Sequence, residues 1–167
     1  PGARHLLAVG LGDSSKLNHE VVRNASAEGY KCLKMNRLVN AGVAIESVTK
    51  HLDAGIAAQA VVEGFMLAGY NYDDYKTDTK AKQDEFKSLA IVAPKDNASV
   101  KKAVETAQIL AETINFSRWL GDTPGNLMTP ERLAEETQRA AKGTGLKVTV
   151  WDKARIKKEK MEHSNHI

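Results

Sequence analysis

The sequence has a single cysteine and four prolines, and it contains no low-complexity segment. Its single cysteine, Cys32, excludes an intrachain disulfide and is typical of a reducing compartment, which predicts a cytoplasmic protein. The neighbours of Cys32 in the run Cys-Leu-Lys-Met favour a buried thiol over a nucleophile. No apolar run approaches the roughly 20 residues of a membrane-spanning helix, and no export leader is recognisable. We therefore expect neither membrane insertion nor export.

What is present is the composition of an ordinary globular domain, with 42% hydrophobic and 27% charged residues. At 167 residues the chain is long enough for one domain with its own core. The net charge of +3 is mildly basic, but basic residues are interspersed with acidic ones, so we do not expect a nucleic-acid partner. The exception is residues 153–160, Lys-Ala-Arg-Ile-Lys-Lys-Glu-Lys, where a solvated helix face is favoured over an anion-binding patch.

Strands and helices are predicted to alternate along the chain. Short apolar runs or alternating patterns predict strands over residues 5–11, 30–39, 86–93 (closed by Pro94) and 146–150. Helical periodicity and capping residues predict helices from Ser14 or Ser15 to Gly29, over 53–69, over 97–120, and from Thr129 and Pro130 onward. This alternation predicts an α/β fold with a mixed, largely parallel sheet covered by helices on both faces.

Two helices carry expectations about packing. Ile56, Ala60, Gly64 and Ala68 recur every four residues, which predicts a small-residue face packed closely against a sheet. In the helix over 97–120 we expect Leu110 to be buried in the middle of an apolar stripe.

Candidate chemical motifs are weak. The Gly10-Leu11-Gly12 turn invites a dinucleotide-binding interpretation, but Ser15 stands where that fingerprint has its third glycine, so a tight turn is favoured.

The histidines and acids are no stronger as candidates. His163 and His166 have a spacing that suits a metal on a helix, although they lie at the end of the chain. The adjacent acids Asp73 and Asp74, among three tyrosines, indicate a polar loop rather than an acid–base pair. From the residues alone we assign no catalytic, cofactor-binding or metal-binding residue.

Three segments nevertheless resemble one known family. They are HLLAVGLG (residues 5–12), VVEGFMLAGYNYDDYK (61–76) and WLGDTPGNLMTPERLAEE (119–136). In this order and spacing they resemble the first domain of the cytosolic leucine aminopeptidases and its link to the catalytic domain. The resemblance implies a macro-domain-like fold over residues 1–121 that lacks its first strands. It also implies that residues 122–167 form a linker loop, helix and strand leading toward a catalytic domain.

The same resemblance implies an activity that this chain would not carry by itself. The family's enzymes remove N-terminal residues from peptides, using two divalent metals (zinc, manganese or magnesium) in the catalytic domain, and assemble as hexamers. Because the metal motifs of that domain are not found here, we expect an inactive N-terminal or truncated form. A free-standing macro-like binding module and an assembly partner of full-length subunits remain as alternatives. We also expect Trp119 and Leu120 to belong to an exposed apolar patch.

Overall fold

A computed structural model describes residues 3–75, 86–93 and 98–161. The regular elements of these residues are a short 3-10 helix (Ser14–Lys16), five α-helices and two β-strands. In chain order they are α1 (His19–Met35), β1 (Asn40–Ala44), α2 (Ala54–Ala68), β2 (Ser88–Val92), α3 (Ala98–Asp122), α4 (Pro130–Ala141) and α5 (Lys153–Lys158). The α/β class is confirmed. Pro94, Asn97 and residues 76–80 of the predicted loop lie outside the described residues.

The two strands pair in parallel, as expected for a chain that places helices between its strands. Asn40 lies opposite Ser88 and Ala44 opposite Val92 in the register, and the Ser88 hydroxyl donates to Asn40 Oδ1 at 2.7 Å. On both strands burial alternates, so one side packs on the core through Ala41, Val43, Leu89 and Ile91, while the residues between them are exposed. The described sheet therefore presents one face to the core.

The first helix is longer than predicted. Its N-cap is Asn18 rather than Ser14 or Ser15, and it continues through the buried Gly29, where we expected it to stop. It ends in a Schellman motif, in which Leu38 N–H donates to the Leu33 carbonyl and Arg37 N–H to that of Lys34. Arg37 takes the left-handed conformation (φ 56°) that glycine usually supplies. The strand predicted over 30–39 is therefore wrong, because most of it is helix.

The second helix matches its prediction closely, with Asp53 as N-cap and Gly69 as C-cap. Its small face packs on helix α1, however, rather than directly on the sheet. A Cβ placed on Gly64 would lie 2.2 Å from the carbonyl oxygen of Arg23, so the two helices touch backbone to backbone. Ile56, at the start of this face, is exposed.

The apolar core lies between α1, α2, the sheet and the first half of α3. Its aromatic centre is Tyr30, Phe65 and Phe86, whose ring centroids lie 5.5–5.9 Å apart. In α3 the buried residues are Val100, Ala107 and Ala111. Leu110 is 43% exposed, so the prediction that it is buried is wrong: the apolar stripe is wider than the surface that covers it.

Two predicted strands are not strands in the described structure. Residues 5–11 are irregular and Leu6 is 95% exposed, while residues 146–150 are irregular and exposed at Leu146 and Val150. An alternating or apolar pattern gives a strand only where a neighbouring strand accepts its hydrogen bonds, and β1 and β2 pair with each other alone among the described residues.

The chain divides into two compact units, one over residues 1–119 and one over residues 120–167. The first unit contains the sheet and the core just described. The second contains α4, whose N-cap Thr129 and first residue Pro130 agree with the prediction, and the short α5, which Asp152 caps. No helix among the described residues combines the length and apolarity that crossing a membrane requires.

Candidate functional site

A cluster of polar contacts joins the C-terminal end of α2 to α3. Asn115 Nδ2 donates to the Met66 carbonyl at 3.0 Å, and Arg118 Nη1 donates to the Leu67 carbonyl, also at 3.0 Å. Arg118 Nη1 lies in addition 3.4 Å from Asn115 Oδ1. Two side chains of α3 thus take up carbonyl groups at the end of α2, where a helix has no backbone donors left for them.

The loop after α2 continues this cluster. Trp119 Nε1 donates to Asp74 Oδ2 at 2.7 Å, and the indole stacks on Phe116 with centroids 6.1 Å apart. The guanidinium of Arg118 lies 5.8 Å from the ring centroid of Tyr70. We call this cluster the α2–α3 joint and define it by the residues Met66, Leu67, Asp74, Asn115, Arg118 and Trp119.

The joint changes the expectation for Trp119 and Leu120. Both side chains are only partly exposed, and the indole N–H is hydrogen-bonded, so they are not a bare apolar patch on the chain. The sequence did not predict this bond because Asp74 and Trp119 are 45 positions apart.

The two adjacent acids, Asp73 and Asp74, have different environments. Asp73 Oδ1 is buried, whereas Asp74 is exposed and bonds to the indole N–H of Trp119. The rings of Tyr72 and Tyr75 lie 6.0 Å apart beside them. Residues 70–75 thus belong to the polar loop that the sequence indicated, and Asp74 connects this loop to Trp119 of α3.

The glycine turn at residues 10–12 leads into the 3-10 helix. Gly12 has a positive φ of 76°, which accounts for one glycine by backbone conformation. Asp13, which sequence analysis overlooked, accepts hydrogen bonds from both the backbone N–H and the hydroxyl of Ser15 at 2.9 Å. These bonds, the backbone one first, hold the pKa of Asp13 below its usual value. Ser15 therefore stabilises the turn that leads into the 3-10 helix.

The remaining candidates are scattered. His5, His19 and His51 lie on separate segments, while His163 and His166 are outside the described residues. Across residues 3–75, 86–93 and 98–161, no group of three or more His, Cys, Asp or Glu side chains is arranged to hold a metal ion. Cys32 is a free, partly buried thiol with Asn36 Nδ2 3.8 Å from its sulfur.

The basic segment near the end of the chain is a short solvated helix. The charged side chains of α5 are exposed, and the Arg155 guanidinium lies 4.6 Å from the centroid of the Trp151 ring. Glu159 follows the helix, and Lys160 takes a left-handed conformation (φ 56°) that ends it. This agrees with a solvated helix face over residues 153–160.

Comparison with known sequences identifies the family. Residues 1–79 match the sequence model described as the N-terminal domain of the cytosol aminopeptidase family, and residues 115–167 match that of the family's catalytic domain. The chain belongs to the cytosol aminopeptidase family. This is a family of metal-dependent aminopeptidases, and peptides are the substrates of such enzymes.

Curated relatives agree along nearly the whole chain. A probable cytosol aminopeptidase of Bdellovibrio bacteriovorus is 42% identical over 163 residues, which are 96% of this chain and 32% of the relative. A probable cytosol aminopeptidase of Syntrophotalea carbinolica is 32% identical over 162 residues, 95% of this chain and 32% of the relative. The chain thus spans about a third of the length of these relatives and matches their N-terminal region.

A solved structure supports the fold. The bottromycin maturation enzyme BotP superimposes with a TM-score of 0.75 over 90% of this chain and 31% of its own, at 22% sequence identity. At this level of identity the likeness establishes the fold.

Proposed function

We propose that this chain is the N-terminal, non-catalytic part of an aminopeptidase that removes N-terminal residues, leucine among them, from peptides. The observation that carries the proposal is the order of the two family matches, the N-terminal domain over 1–79 and the catalytic domain from 115 onward. The described residues supply no metal cluster, so we assign no catalytic, cofactor-binding or metal-binding residue to this chain. In this proposal the chemistry belongs to residues of the catalytic domain that the chain does not contain.

The proposed domain boundary lies at the end of α3. Residues 1–121 form the N-terminal domain, and residues 122–167 lead into the catalytic domain through a linker loop and helix α4. The described residues of this segment do not form the strand that the sequence predicted. The division of the chain into compact units after residue 119 supports this boundary. The match to the catalytic domain from residue 115 supports it as well, since that match begins inside α3.

The family resemblance supplies the proposed chemistry. Two divalent metals, zinc, manganese or magnesium, would be held in the catalytic domain by a lysine and several carboxylates. They would supply Lewis-acid chemistry and lower the pKa of a bound water for peptide hydrolysis. A cytoplasmic location and a homo-oligomer, a hexamer as in the family, complete the proposal. The single free cysteine supports the reducing compartment.

Hydrolysis of a leucyl amide tests the proposal. We expect the purified chain to give no turnover with added manganese or zinc, because it lacks a metal cluster among its described residues. The full-length relative from Bdellovibrio bacteriovorus, prepared and assayed in parallel, is the positive control. Turnover by the chain that a chelator abolishes and that survives repurification would contradict the proposal.

A further inference from the structure

The C-terminal half of α3 is held by a different kind of contact from its first half. The buried residues of α3, Val100, Ala107 and Ala111, all lie before residue 112. Over residues 112–122 none is fully buried, although Phe116, Trp119 and Leu120 are partly buried, and the apolar core does not extend to this half. The contacts that connect it to α2 and the following loop are those of Asn115, Arg118 and Trp119.

These contacts reach backbone carbonyl groups at the C-terminal end of α2, where a helix leaves its last carbonyls without backbone donors. The Phe65 carbonyl already receives the N–H of Gly69, whereas the next two carbonyls, of Met66 and Leu67, receive Asn115 and Arg118. A positive charge is favoured at a helix C-terminus, so the guanidinium suits this position electrostatically as well. The end of α2 is therefore capped partly by its own chain, through Gly69, and partly by another helix, through Asn115 and Arg118.

The capping side chains are also mutually ordered. Arg118 and Trp119 lie three and four positions after Asn115, which places both beside Asn115 on one side of α3. Asn115 accepts from Arg118 while its own amide donates to Met66, so each fixes the other. Trp119 adds a third attachment through Asp74, in the loop beyond α2. Three attachments on one face determine both the position and the rotation of this half of α3.

We propose that Asn115, Arg118 and Trp119 are positioning residues that set the direction in which the chain leaves α3 toward the catalytic domain. Their partners lie within residues 1–79, matched to the N-terminal domain, whereas they themselves lie within the match to the catalytic domain. The α2–α3 joint thus links the two matched parts. Only the consequence for a catalytic domain rests on the proposed function; the joint itself is a property of this chain.

Distance measurement between spin labels tests the positioning role. Cys32 in α1 is the sole native thiol, and Ser117→Cys adds a second label on the exposed side of α3. We expect Asn115→Leu with Arg118→Met to broaden the label-to-label distance distribution. The control Thr113→Ala removes a hydroxyl that bonds within its own helix, to the Ile109 carbonyl at 2.7 Å, and should leave the distribution unchanged.

A second variant pair addresses the joint without disturbing either helix. Asp74→Ala removes the acceptor of Trp119, and Asp74→Asn keeps an oxygen acceptor. We expect the distribution to broaden with alanine and to return to the wild-type width with asparagine. Acrylamide quenching of Trp119, with Trp151→Phe to remove the other indole, should rise and recover in parallel.

Hydrogen exchange gives the size of the effect on α2. Loss of the Arg118 cap should speed amide exchange at Ala68 and Gly69 by roughly tenfold, the effect of one charge-assisted hydrogen bond. A distance distribution of unchanged width in both Asn115→Leu/Arg118→Met and Asp74→Ala would overturn the proposal, whatever the change in melting temperature. None of these readouts involves catalysis, so they fail or succeed separately from the leucyl-amide assay.

Discussion

The two compact units of this chain are stabilised in different ways. Unit 1, residues 1–119, has an apolar core in which Ile45, Ala57 and Ala58 are 0% exposed. In the described part of unit 2, residues 120–161, the single buried residue is an acid, Glu136, which is 3% exposed. A core made by apolar burial is therefore a property of unit 1.

The contacts of Glu136 are ionic and local. Its Oε1 lies 2.8 Å from Arg132 Nη2 and its Oε2 lies 2.5 Å from Arg139 Nη2, at spacings of four and three residues on α4. Both arginines are at least half exposed, so solvent screens these ion pairs and each contributes little to folding. They hold the side chains of α4 together without providing a core.

The difference between the two units shows which interactions stabilise each helix. Helices α4 and α5 are fixed by local chemistry, through the N-caps Thr129 and Asp152 and the ion pairs along α4. Helices α1 and α2 are stabilised by burial against each other, and Gly64 of α2 lies against the backbone of Arg23 in α1. Substitutions that remove apolar contacts should consequently act strongly in unit 1 and weakly in unit 2.

The largest expected effect comes from truncating the core of unit 1. Ile45→Ala should lower the free energy of unfolding by about 2–5 kcal/mol, because it removes a side chain with 0% exposure and leaves a cavity. The matched change Leu133→Ala in α4, where the side chain is 45% exposed, should cost less than about 1 kcal/mol. Urea denaturation followed by circular dichroism measures both.

Equal costs for the two truncations would remove the contrast between the units. A loss of more than about 2 kcal/mol for Leu133→Ala would mean that this side chain is covered in solution, for example by a second copy of the chain. Repeating the measurement at several protein concentrations separates these cases, since a contact between copies makes stability depend on concentration.

A smaller effect is expected from the glycines of the two units. Gly64→Ala should destabilise by about 1–3 kcal/mol, because the new Cβ would lie 2.2 Å from the Arg23 carbonyl and 2.8 Å from Ser26 Cβ. Gly121→Ala, in α3, meets nothing within 4 Å and should be neutral or stabilise by up to about 1 kcal/mol. Thermal and urea denaturation check the opposite signs. A neutral Gly64→Ala would show that α1 and α2 are not in backbone contact.

Elements marked by capping residues or by a local apolar pattern could be predicted from the sequence. Helix α2 lies between Asp53 and Gly69, and α4 begins at Thr129 and Pro130, all as predicted. Strand β2 lies within its predicted run. Each of these signals acts within a few residues of the chain, which is why periodicity and capping chemistry were sufficient.

Elements that depend on the rest of the fold could not be predicted. Arg37 ends α1 in a conformation expected of glycine, so its sequence carries no stop signal. Strand β1, Asn-Ala-Gly-Val-Ala, has low strand propensity and was missed, because pairing with β2 outweighs it. Residues 5–11 and 146–150 carry strand patterns without a strand beside them among the described residues.

The candidate site was the least predictable feature. Asn115 and Arg118 are ordinary polar residues in a helix, and their partners are carbonyl groups 49 and 51 positions away. Backbone acceptors leave no mark on a sequence, because every residue has one. The family, by contrast, was predicted correctly from three short segments and is confirmed by the sequence matches.

The smallest expected effect is the pH dependence of unit 1. The Arg23 guanidinium, bonded to Glu20 on α1, holds the pKa of Glu20 below its usual value. A carboxylate with a lower pKa in the folded state binds its proton less tightly there, so it stabilises the fold above its unfolded pKa. That stabilisation is lost as pH falls through the folded pKa.

The variant Glu20→Gln isolates this contribution. The Glu20 side chain is 46% exposed, so solvent screens its charge and its stabilisation is small even when the carboxylate is ionised. At pH 7 the wild type should therefore be slightly more stable than Glu20→Gln, and the difference should disappear below the lowered pKa of Glu20. Parallel urea denaturation of both proteins from pH 7 to strongly acidic pH measures the difference directly. A difference that stays constant over this range would mean that the side-chain amide of the Glu20→Gln variant and the carboxylate of the wild type differ in packing or helix propensity. The charge of the Arg23 contact would then contribute nothing to stability.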